Sequence, residues 1–171
     1  MMYRVAMIAA SLLVLGTLSA PAETVLQKAN RDGVFNIARS DKEMDAAFAK
    51  AQQTLGQFLD AFEAQAPGTG SFLVKIPISD GDKREYFWVN ELTRTGNQFS
   101  GRINNRPEVV QTVQYGQFVT FPRSRIRDWM YVDHGKTLGN FTTCVLLSRE
   151  DPAQAQELMD QMKLACERHG S

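Results

Sequence analysis

Two hydrophobic periods divide this chain. Met44, Phe48, Ala51, Leu55, Phe58, Leu59 and Phe62 recur at steps of three and four, which predicts an amphipathic helix over 40–66 with one apolar face. Ser40 and Glu43 have capping-box spacing at its start, and Pro67-Gly68-Thr69-Gly70 ends it. From Phe72 the step shortens to two. Phe72, Val74, Ile76 and Ile78 alternate with Leu73, Lys75 and Pro77, as in a strand buried on one side. After the turn Ser79-Asp80-Gly81-Asp82, the residues Tyr86, Trp88 and Asn90 face one way, and Phe87, Val89 and Glu91 the other. Gly96-Asn97 turns again, and Phe99, Gly101 and Ile103 make a third strand. Successive strands with short turns form an antiparallel meander.

Asn104 to Pro107 reads as a loop, Val109 to Val113 as either a short strand or a turn, and Gln117 to Phe121 as a strand following Gly116. Asp133-His134-Gly135-Lys136 has the composition of a hairpin turn. Gly116, Gly135 and Gly139 are backbone devices for turns and close approach. Phe141 to Leu147, rich in Thr, Val and Cys, reads as the last strand. Asp151-Pro152 then opens a final helix over 151–168, with Ala155, Leu158, Met159, Met162 and Cys166 on its apolar face. The expected fold is therefore α+β: a curved antiparallel sheet of about five to six strands packed by a long N-terminal helix and a C-terminal helix. No repeat or low-complexity tract interrupts it.

The first 22 residues change the setting. Arg4 precedes an uncharged apolar run from Val5 to Leu18, and Ala20-Pro21-Ala22 supplies small residues before Glu23. This is the plan of a secretory signal peptide, cut near Ala22-Glu23. The run is shorter than the roughly 20 residues a bilayer-spanning helix needs, so no stable membrane anchor is expected after cleavage and the mature chain is expected in the periplasm or secreted. Residues 23–171 suit a single domain, with 23–39 as an irregular arm or a short strand around Val34, Phe35 and Ile37 ahead of the helix. The full sequence balances 19 Lys and Arg against 19 Asp and Glu; without net positive charge, bulk nucleic-acid binding is not expected. Cys144 and Cys166 are the only cysteines. In an exported chain an even pair predicts a disulfide, and closing a loop of about 20 residues is worth roughly 3 kcal/mol in the chain-entropy model.

At Trp129 the pattern becomes specific. Trp88-Val89, Phe99, Gly101, Asn105, Pro107, Gly116, the run Ile126-x-Asp128-Trp129-Met130-Tyr131-Val132, Gly135-Lys136, Gly139 and Phe141-Thr142 together resemble the YegJ-like bacterial family of unknown function, over about Phe72 to Leu147. The resemblance implies a small α+β domain with a curved antiparallel sheet, this β-rich family core falling at 71–147, and brings no activity or catalytic residue. Asn140 stands where a second glycine is expected, implying a less bent corner there.

Candidate chemistry is sparse. Arg123, Arg125 and Arg127 fall at alternate positions; if extended they form a row suited to carboxylate or phosphate groups, or else a solvated strand face. Arg102, Arg106 and Lys136 would extend that surface. Asp128-Trp129, with Tyr131 nearby, is either a binding hot spot or a buried indole beside a carboxylate that caps turn amides. Asp133-His134 with Ser124 lacks the convergence a nucleophilic triad needs, since adjacent side chains tend to diverge. No Gly-x-Ser-x-Gly elbow, zinc-binding His-Glu-x-x-His or phosphate-cradling glycine loop occurs. No catalytic residue, metal or cofactor is expected. The expected function is a periplasmic binding module, an inhibitor or immunity-type protein directed at a cell-envelope enzyme or toxin. The alternatives are a cell-envelope small-molecule or glycan binder stacking on Trp129, Tyr131 or Trp88, and a hydrolase using His134.

Overall fold

The computed structural model describes residues 41–166; the leader, the arm at 23–39, Ser40 and His169 lie outside the described residues. Helix α1 (Lys42–Ala64) starts at Asp41, whose carboxylate accepts from the Met44 amide at 3.1 Å. Its acceptor therefore stands one residue later than the expected capping box. Gln65, in the left-handed region, ends the helix before Pro67.

Strands β1 (Thr69–Asp80), β2 (Lys83–Thr95) and β3 (Gln98–Ile103) form the predicted meander. After a long loop, β4 (Phe118–Pro122) pairs with β3, and β5 (Asp128–Asp133) returns to the other side of β1. A tight turn at His134-Gly135 leads into β6 (Lys136–Gly139). All neighbours are antiparallel, in the order β4-β3-β2-β1-β5-β6. The sheet is open, with β4 and β6 as its two edges. Its core joins Ala51, Leu55, Phe58 and Leu59 of α1 to Val74, Ile76, Phe87, Val89, Phe99, Ile103 and Trp129. Burying each large side chain contributes about 1.5–3 kcal/mol, and the Trp129 indole N–H is satisfied by the Ala51 carbonyl at 3.0 Å.

Several expectations are corrected. Phe141–Leu147 is a helix, α2, not the last strand. Gly139 (φ +79) sits so close to β5 that a Cβ there would lie 2.2 Å from the Trp129 carbonyl oxygen, and Asn140 also takes a left-handed conformation, φ 59. The corner is thus fully bent, because Asn tolerates the left-handed region that most residues avoid. The expected last helix is shorter than 151–168: α3 (Pro152–Met162), capped by Asp151 with Pro152 in its first turn, ends at Lys163, so Cys166 lies beyond it. The Cys144–Cys166 disulfide is formed and ties α2, not a strand, to the segment after α3. Lastly, Val109 to Val113 is neither strand nor hydrogen-bonded turn but an irregular, bent loop. Fully buried Glu85 accepts from the amides of Glu108, Val109 and Val110 at 3.1–3.2 Å, which pins this loop under β2.

Candidate functional site

The alternation of β1 sets Lys75 opposite Asp128 of β5 in register, and both are buried. Asp128 gathers four donors: Oδ1 accepts from the amides of Trp129 (2.8 Å) and Phe141 (3.4 Å), and Oδ2 from the amide (2.8 Å) and hydroxyl (2.6 Å) of Thr142. The Lys75 ammonium donates to the same Thr142 hydroxyl at 2.6 Å and lies 4.6 Å from the Trp88 ring centroid. Thr142 Oγ1 therefore relays between cation and anion. Burial pulls Lys75 down to about 8, with Asp128 opposing the fall. Burial also pushes Asp128 up, against Lys75 and the Thr142 and Trp129 donors. With both oxygens filled by N–H and O–H donors, the bonding is that of the carboxylate. The arrangement docks the start of α2 onto β5 at the point where β6 has ended. Burying the groups is costly, and only the complete set of partners offsets that cost.

This geometry decides most of the sequence candidates. Asp128, Trp129 and Tyr131 are in the interior; Trp129 and Tyr131 pack on Phe58, and Trp88 covers Lys75. None of these aromatic rings is open for a ligand to stack on, so the hot-spot reading and the stacking platform are corrected, while Asp128 caps amides of the α2 corner. The arginine row is not a row. Arg123–Arg125 form a 3-10 turn, because Pro122 ends β4 and the chain must swing to bury Ile126. Arg125 then donates to the Pro77 carbonyl, and Arg127 to those of Ser124 and Ile126; Arg123 is exposed and makes no such bond among the described residues. Asp133 and His134 do meet, Oδ1 to Nδ1 at 2.6 Å on the surface, contrary to the expected divergence. Ser124, however, precedes β5 and His134 follows it. At roughly 3.3 Å per residue, the six-residue strand holds them about 20 Å apart, so no triad forms. Among the described residues no group of His, Cys, Asp or Glu is arranged to hold a metal, and no helix is long and apolar enough to cross a membrane.

The two sheet edges differ in a way that neither motif nor composition announces. On β6, Asn140 donates to the Trp129 carbonyl, so by alternation Thr137 points its backbone away from β5. The chain beyond α3 meets it there: the Thr137 amide donates to the Lys163 carbonyl at 2.9 Å, its hydroxyl to Met162 at 2.6 Å, and Thr137 bridges Leu164 in parallel. The disulfide fastens this strap.

On β4, the bonds from Arg123 N to Asn97 O and from Ile103 N to Gln117 O mark the residues that face β3. The backbone groups of Phe118, Thr120 and Pro122 therefore point outward, and no described segment pairs with them. Beside this bare edge stand Tyr115 and Phe118, 60% and 57% exposed, the only large hydrophobic side chains so exposed among the described residues. Arg102 lies across from Phe118 in β3, bonded to Glu91 and to the Gly116 carbonyl at 3.0 Å each. The sequence predicts a strand here, but no motif marks either aromatic. Pro122 was the available signal, because proline in a sheet is confined largely to strand ends and edges.

A family model described as "Uncharacterized protein conserved in bacteria (DUF2314)" matches residues 41–164, reaching past the β-rich core to include α1 and α3. Among curated proteins, the chain is 34% identical over 119 residues to "Uncharacterized protein YegJ" of Escherichia coli (strain K12), covering 69% of this chain and 76% of that protein. It is 27% identical over 117 residues to "Putative ankyrin repeat protein NMB1133/NMB1171" of Neisseria meningitidis serogroup B, covering 64% of this chain and 46% of that protein. No solved structure matches.

Proposed function

This chain belongs to the DUF2314 family of uncharacterized proteins conserved in bacteria, and we propose that it serves as an exported protein-binding module. In this reading the leader carries it out of the cytosol, and the mature domain recognises a cell-envelope enzyme or toxin as an inhibitor or immunity-type partner. The observation that carries the proposal is the unequal treatment of the two sheet edges. A strap and a disulfide close β6, whereas β4 keeps outward backbone groups beside Tyr115 and Phe118. Long, bare, apolar edges invite aggregation; a short one flanked by proline and arginine offers a limited surface for one partner. The polar interior supports a binding role over a reactive one, since Lys75, Thr142 and Asp128 satisfy one another.

The test uses mature protein, residues 23–171, as bait in envelope extract. Wild type retains one dominant partner, and the double variant Tyr115→Ser/Phe118→Ser does not. Undiminished capture by the double variant would refute β4 as the surface. Fractionation with N-terminal sequencing checks the address: a periplasmic chain beginning near Glu23 supports export, and an intact cytosolic chain opposes it.

A further inference from the structure

Resting on that reading of β4, we infer that the partner contributes an extended segment, acidic and apolar in alternation, that adds to the sheet as a seventh strand. The backbone supplies the first argument. Phe118 and Thr120 each turn an N–H and a C=O outward, as the pairing of Arg123 with Asn97 and of Ile103 with Gln117 requires. Two outward residues on one edge form the repeating unit into which an added strand bonds. Pro122 has no N–H to give, so the ladder stops there and the register of an incoming strand is limited from that side.

Side chains supply the second argument. Phe118 and Thr120 project to one face of the strand, and Thr120 is held by a 2.9 Å bond to Ser100 in β3. Phe121, on the other face, is buried in the core. An added strand therefore meets a fixed backbone with an exposed ring at one end and Tyr115 just beyond it. Charge supplies the third. From Val109 to Arg127 there is no Asp or Glu, and exposed Arg123 directly follows the strand, while Arg125 and Arg127 are turned onto the carbonyls of Pro77 and of Ser124 and Ile126. Carboxylates on the incoming segment complement that stretch. A second copy of the chain would instead set the same acid-free, arginine-bearing stretch against itself.

The test selects random short peptides displayed on phage against the mature protein, then measures synthetic versions of the winners. The inference expects enrichment of peptides alternating apolar residues with Asp or Glu. It also expects the amides of Phe118 and Thr120 to become protected from exchange in the complex. N-methylating alternate peptide amides should weaken binding by about tenfold or more, as should Phe118→Ser. Thr120→Pro, which deletes one outward donor at an edge position that tolerates proline, should weaken it as well while the Thr137 amide stays protected. Failure to enrich any peptide, enrichment of basic peptides, or binding indifferent to N-methylation would overturn the inference. A dimer in light scattering that Phe118→Ser dissolves would overturn it too, assigning the edge to a second copy. The envelope-extract result separates the two claims: a partner lost with Tyr115 and Phe118, yet indifferent to Thr120→Pro, leaves the surface standing and removes the added strand.

Discussion

The two edges of the sheet are built from similar strands and end in opposite states. β6 has four residues and β4 five, and each turns alternate backbone groups away from its neighbour. At β6 the chain itself supplies the missing partner, through Lys163, Met162 and the Cys144–Cys166 bond. At β4 nothing among the described residues does so, and two large aromatic side chains are left in water. A fold that closes one edge with a strap and a disulfide has the means to cover a sheet. The bare edge is therefore the informative one, because exposed aromatics beside unpaired backbone favour association.

The largest effect should come from Asp128. Asp128→Ala removes the acceptor of four donors and strands Lys75 as a buried cation, so a loss of about 3–5 kcal/mol is expected in denaturant unfolding. Because α2 carries Cys144, the strap should loosen with it. If Thr137 kept full amide protection in that variant, the proposed link between Asp128 and the closed edge would break. Next is the disulfide. Cys144→Ala/Cys166→Ala should cost roughly 3 kcal/mol, and the Thr137 amide should then exchange well before global unfolding.

Lys75 offers a pH test with a defined sign. Its amine is held at about 8 in the fold, against an ordinary value of 10.5. Between those values the unfolded chain binds a proton that the folded chain does not, so stability should rise with pH across that window. Lys75→Met should flatten the rise; a wild-type curve that falls there would contradict the burial of the amine. Smaller still, Thr137→Val should cost about 1 kcal/mol by deleting the bond to Met162. Least of all for stability, Phe118→Ser should stay within about 0.5 kcal/mol while weakening partner capture. A large loss of stability at Phe118 would mean that the ring packs rather than waits.

How far the sequence foretold this molecule follows from the range of the forces involved. The period of α1 and the alternation through Phe72, Val74, Ile76 and Ile78 are local signals, and the helix and meander formed as read. Phe141–Leu147 misled because its β-branched residues favour a strand, whereas its state is set from a distance: Asp128 captures the Phe141 and Thr142 amides, and Asn140 adopts the turn. Alternating arginines suggested an extended face, but the need to bury Ile126 just after Pro122 folds them into a turn. Lys75 looked like one more polar position in an alternating strand; nothing short of the register with β5 reveals Asp128 across from it. Tyr115 and Phe118 carry no local signal for a similar reason. An apolar residue in a strand reads the same whether the strand is central or last in the sheet, and the order β4-β3-β2-β1-β5-β6 arises only when distant strands pair.

Amide hydrogen exchange on the free mature protein tests the central claim most directly, because it reads both edges in one experiment. The account predicts that Phe118 and Thr120 exchange at close to open-chain rates, while Thr137 stays protected until the disulfide is reduced or the domain unfolds. Protection of Phe118 and Thr120 in the monomer, equal to that of Thr137, would mean that both edges are already closed and that β4 has no place for a partner.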